Sequence, residues 1–130
     1  MSQKAIEVIL ARQLADNLAI PIFIVDPDGT LLFYNEPAER ILGQRFNETG
    51  EMVVGLWSTV FKAADRSGNL LAPDTLPLII ALTERRPAHH NFWIHGLDGA
   101  VRHIEATAFP LVGQADRFLG AMAMFWEVGD

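Results

Sequence analysis

Cysteine is absent from this 130-residue chain. That excludes a disulfide framework, zinc thiolates, iron–sulfur clusters, a cysteine nucleophile, and any flavin or chromophore chemistry that runs through a thiol. Basic residues are also scarce. Lys and Arg number 10 against 16 Asp and Glu, so the formal charge is 10 − 16 = −6. A nucleic-acid surface needs a basic stripe, and this balance argues against one. Long apolar runs are missing too. The run from Leu18 to Val25 contains Pro21, and a membrane-spanning helix needs about 20 apolar residues. The N-terminus reads as amphipathic rather than as a signal-peptide core. The expectation is a cytoplasmic domain without membrane contact. Half of the residues are apolar and a fifth are charged, which is globular composition. A chain of this length buries roughly two-thirds of its unfolded surface and needs no covalent or metal staple.

Ser2 to Leu18 reads as a helix, with Ile6, Leu10, Leu14 and Leu18 recurring at i+4 and Ile9 beside them. The stripe is narrow, and two roles are open: packing on its own domain, or a dimer seam. Ile20 to Val25 and Leu31 to Tyr34 flank Asp26-Pro27-Asp28-Gly29, which predicts a hairpin across a type I turn with a left-handed Gly29. Asn35 then offers an N-cap to a short helix over Glu36 to Leu42, with Pro37 in its first turn and Gly43 past its end. Met52 to Phe61 suggests another helix. Asp74 is placed to cap a third through Leu78, Ile79 and Leu82, stopped by Pro87.

The last third reads as three strands, His89 to His95, Val101 to Phe109 and Phe118 to Val128. A three-residue loop with Gly99 left-handed places Ile94 opposite Arg102, Phe92 opposite Ile104 and His90 opposite Ala106. This register gives one mainly apolar face. The reverse carries His89, Asn91, Trp93, His95, His103 and Glu105. The last strand is apolar on both faces, so it belongs in the centre of the sheet with both faces covered. Met122, Met124 and Trp126 share one of its faces; Ala121, Ala123 and Phe125 share the other.

This order of hairpin, short helices and three-stranded meander resembles the PAS domain family of sensory modules. The resemblance rests on Ile22 to Asn35, on Glu36 to Gly43, on Asp74 to Leu82, on Asp98-Gly99 with Ala108-Phe109-Pro110-Leu111, and on Gly120 to Trp126. It implies an α+β fold with a five-stranded antiparallel sheet of order 2-1-5-4-3. Short helices on one face enclose a pocket, and the N-terminal helix lies outside. It divides the chain into residues 1–18, a capping or dimerising helix, and residues 19–130, the PAS domain. It also implies a sensory, non-enzymatic role in signal transduction, of the kind found in two-component systems and transcription regulation. A homodimer would pass the signal to an effector domain or a protein partner. The cysteine-dependent flavin and chromophore branches are excluded, and the helix over Thr75 to Arg86 lacks the His that many haem-binding members use.

On this reading the pocket is lined by Phe23, Val25, Phe33, Leu78, Leu82, His90, Phe92, Ile94, Arg102, Ile104, Met122 and Met124. The dimer surface comprises Ile6, Ile9, Leu10, Leu14, Trp93, Ala121, Ala123 and Phe125. Two states of the pocket are open. Arg102 and His90 hold a small amphipathic anion, or the core is filled and Arg102 snorkels to solvent. No catalytic constellation and no metal site are expected, since the acids sit at turns and caps. The alternatives are a sensor that holds haem or another cofactor, and a small enzyme using His90 as base.

Overall fold

The computed structural model describes residues 6–129. Helix α1 spans Ile6–Asp16, and the expected start at Ser2 lies outside the described residues. Strands β1 (Ile22–Val25) and β2 (Leu31–Tyr34) form the expected hairpin. The Asp26 carboxylate accepts from the Asp28 and Thr30 amides, and Gly29 closes the turn at φ 86°. Helix α2 (Glu36–Leu42) starts at the Asn35 cap, whose side chain accepts from the Ala38 amide.

The middle of the chain departs from the sequence reading. A short helix α3 (Phe46–Thr49) was not anticipated. The segment read as one helix from Met52 begins instead with a bridge between Leu31 and Met52, followed by α4 over Val54–Val60. Asp74 caps nothing by its side chain. It lies in a 3-10 turn, Pro73–Thr75, and α5 (Pro77–Glu84) begins at Leu76 without a side-chain cap. The cap position is held by Leu76, whose side chain has no acceptor, and Pro77 starts the helix with its ring φ already helical.

Strands β3 (Ala88–His95), β4 (Val101–Val112) and β5 (Phe118–Glu127) follow. The β3–β4 register is the expected one, with Ile94 opposite Arg102, Phe92 opposite Ile104 and His90 opposite Ala106. Gly99 is left-handed at φ 85°. The five strands form one antiparallel sheet of order β2-β1-β5-β4-β3, which puts β5 at the centre.

Both faces of the centre are covered. Helices α2, α4 and α5 pack a core on one face, with Phe23, Tyr34, Trp57, Phe92 and Phe125 in it. Helix α1 covers the other face over β1, β2 and β5. There Val8 and Ala15 pack with Ile22, Ile24, Leu32, Phe33 and Met122. Gly120 is obligatory at the β1–β5 crossing: its φ is 126° and a Cβ would collide with the Val25 carbonyl oxygen.

Candidate functional site

A cavity of about 90 Å³ lies between the sheet and the helices. The sheet supplies Phe23 from β1, Phe92 and Ile94 from β3, Ile104 and Ala106 from β4, and Ala123 and Phe125 from β5. The helical side supplies Leu42, Trp57, Ser58, Phe61, Ala63, Leu76, Pro77 and Leu78. No charged side chain lines it, and Ser58 is its one polar residue apart from the Trp57 indole. That indole N–H is already spent on the Gly29 carbonyl at 2.6 Å. The wall of the cavity is therefore tied to the β1–β2 turn.

Five of the expected lining residues, Phe23, Leu78, Phe92, Ile94 and Ile104, border this cavity. The structure places the others elsewhere. Val25 is fully buried in the same core without reaching the cavity, and Leu82 packs, partly buried, against that core. Phe33 faces α1, where it meets Phe46 edge-on at 5.5 Å and the Arg12 guanidinium at 4.4 Å. His90 has the expected parity but is exposed, stacked beside Phe92 at 6.0 Å. Arg102 turns away from the cavity to the β3–β4 turn.

The two faces of β5 are reversed relative to the sequence reading. Met122 and Met124 pack beneath α1, while Ala121, Ala123 and Phe125 lie buried beneath the helices and present no dimer surface. Strand pairing decides this. Phe23 pairs with Ala123 and Ile24 with Met122, and directly opposite residues point to the same face. Small residues suit the helical side, where α5 packs closely through its own fully buried Ala81. Sequence reasoning missed Trp57 and Phe61 as lining residues, although their i, i+4 spacing in an apolar segment was the available signal.

Two polar clusters brace the fold around the cavity. Arg102 donates to the Ile41 carbonyl at 2.9 Å and pairs with Asp98 at 3.1 Å. The Leu97 amide donates to the Leu42 carbonyl at 2.8 Å. Together they clamp the C-terminus of α2 to the β3–β4 turn. The hydrogen bond from Arg102, then that from the Ala100 amide, holds the Asp98 carboxyl below its ordinary 3.8. Tyr34, on the helical face, donates its hydroxyl to the Gln44 carbonyl at 2.8 Å and meets the Thr49 hydroxyl at 3.1 Å. Burial raises its pKa above the ordinary 10.0, with Thr49 opposing.

The outer face of β3 and β4 is left uncovered by α1. Trp93 stacks on His103 at 3.9 Å, and His103 lies 3.4 Å from Asn91. His89 stands 3.9 Å from Glu105. Among the described residues no three His, Asp or Glu side chains converge as metal ligands.

A five-stranded antiparallel sheet of order 2-1-5-4-3 with short helices packed over an apolar cavity defines a class of α+β domain. The model for the PAS domain matches residues 10–83, and the chain belongs to that family. No curated protein matches the sequence. Solved structures share the fold. The PAS domain of a protein from Colwellia psychrerythraea is 17% identical, with 93% of this chain and 96% of that chain covered and a TM-score of 0.63. The PAS domain of nitrogen regulation protein NR(II) from Vibrio parahaemolyticus is 18% identical, with 92% and 98% covered and a TM-score of 0.63. The Rhodobacter sphaeroides LOV protein is 16% identical, with 96% and 69% covered and a TM-score of 0.73. PAS domains are sensory signalling modules, and among the described residues no helix is long and apolar enough to cross a membrane.

Proposed function

We propose that this domain is a non-enzymatic sensory module that binds a small molecule in the cavity and signals through a homodimer to an effector or protein partner. The observation that carries this reading is the cavity itself, with Trp57 joining its wall to the β1–β2 turn. A ligand that moves Trp57 moves that turn, and through β1 the sheet on which α1 rests. The dimer surface is the outward stripe of α1, where Ile6, Leu10 and Leu14 are 67%, 56% and 59% exposed. These are large apolar side chains beyond what the fold itself uses.

The two alternatives fit the site less well. An enzyme using His90 as base needs that imidazole in the cavity, and it lies exposed outside. Haem needs an axial ligand, and neither His nor Tyr lines the cavity. A flavin ring carries several hydrogen-bonding edges, against which the lining offers the Ser58 hydroxyl. Native mass spectrometry of the freshly purified chain, with an absorbance scan, tests the proposal. A dimer without visible absorbance is expected, with added mass where ligand has been retained. A coloured protein, or a monomer at micromolar concentration, would refute it.

A further inference from the structure

The cavity's chemistry specifies its occupant more narrowly than its size does. This step rests on the ligand-binding reading above. Apart from Ser58 its walls are Phe, Leu, Ile, Ala, Pro and Trp, and the Trp57 N–H is consumed by Gly29. The charged group once expected inside, Arg102, is held outside by Ile41 and Asp98. An anion or a cation entering here would lose its hydration with no partner to replace it, a cost no apolar contact offsets. Water fares little better. A buried water seeks two to four polar partners, and Ser58 supplies one side chain, whereas apolar cavities stay dry and admit hydrocarbons or xenon. An apolar cavity of about 150 Å³ holds benzene. The 90 Å³ here is smaller and opens to solvent on one side, so the enclosed part of an occupant is limited to about the size of benzene or below.

We infer that the domain binds an uncharged, apolar molecule whose enclosed part is at most benzene-sized and carries no more than one hydrogen-bonding group, which Ser58 would meet. Five aromatic rings, Phe23, Trp57, Phe61, Phe92 and Phe125, bias the site toward a flat or highly polarisable ligand. Amphipathic acids, which the sequence had suggested through Arg102 and His90, are rejected by the same lining.

The test uses the full chain with xenon, benzene, benzoate and benzylamine as probes. Xenon should give a shifted 129Xe resonance. Benzene should raise Tm by a few degrees at millimolar concentration, whereas benzoate and benzylamine should leave it unchanged. Ala106→Leu, which fills the cavity from β4, should abolish the xenon shift and the benzene effect; Ala123→Val serves from β5 if the larger side chain prevents folding. Equal stabilisation by benzoate or benzylamine overturns the neutral-ligand assignment while the cavity remains a ligand site. Failure of every probe to affect the unmodified chain overturns the ligand-binding reading itself. A benzene effect that survives in the folded filled variant places binding outside the cavity and overturns the inference.

Discussion

Asn35 is the buried polar side chain on which the fold converges. Its carbonyl oxygen accepts from the Ile22 amide at 2.9 Å and the Ala38 amide at 3.2 Å. Its amide nitrogen donates to the Ala15 and Ile20 carbonyls, both at 2.9 Å. One side chain thus joins the end of α1, the start of β1 and the start of α2. The sequence betrayed the capping half of this role, because Asn before a Pro-containing helix start is a local signal. The donor half was hidden, since Ala15 is 20 residues away. The division of labour predicts a split. Asn35→Asp keeps both accepted bonds but has no N–H for Ala15 or Ile20, and should cost about 2–3 kcal/mol. The loss should be concentrated in α1, whose amides should exchange faster than those of β4 and β5. Asn35→Ala should cost more, because it orphans all four groups. Urea unfolding with hydrogen exchange reads both effects; unchanged protection of α1 in Asn35→Asp would show that the donated bonds do not hold it.

At the scale of elements, the hairpins and the faces of β3 and β4 were legible, and the faces of β5 were not. The β1–β2 and β3–β4 turns carry Asp and Gly at the positions their geometry demands, so turn and register followed from local chemistry. β5 offers no such signal. With Met and Trp on one side and Ala and Phe on the other it lacks the polar alternation that sets a face, and its pairing with β1 and β4 alone decides. Phe23 contained the clue: placing it at the cavity obliges its partner Ala123 to be there too. Arg102, left open between the pocket and the surface, is held at the hairpin end. Its parity is inward, but at the hairpin end its long side chain reaches Asp98 and the Ile41 carbonyl. That clamp between α2 and the β3–β4 turn should respond to acid. The folded Asp98 carboxyl titrates below its unfolded value near 3.8. The stabilisation is therefore complete above that value and is lost as pH falls through the lower folded one. In Arg102→Ala the Asp98 titration, followed by carboxyl-carbon NMR, should return toward 3.8. A titration that stays low would assign the shift to the Ala100 amide instead.

For the whole molecule, α1 serves two surfaces at once. Val8 and Ala15 close the sheet over Ile22, Ile24 and Leu32, while Ile6, Leu10 and Leu14 point to solvent. The sequence showed a single apolar stripe and left open whether it packs inward or outward, because inward packing here runs through small and short side chains that leave no strong periodicity. The two-sided arrangement changes how dimerisation must be tested. Removing α1 would uncover the hydrophobic cluster on the sheet, and any change of assembly would then mix unfolding with loss of an interface. Leu10→Glu with Leu14→Glu leaves Val8 and Ala15 in place, and exposed substitutions of this kind shift stability by roughly 0.5 kcal/mol or less. The double variant should keep its melting curve yet sediment as a monomer where the unmodified chain sediments as a dimer. If it remains dimeric, the interface lies elsewhere, and the uncovered sheet face carrying Trp93 and His103 becomes the surface to disrupt. In that case the route from Trp57 through the β1–β2 turn to α1 would no longer end at the dimer contact, and ligand occupancy would have to be read out across β3 and β4.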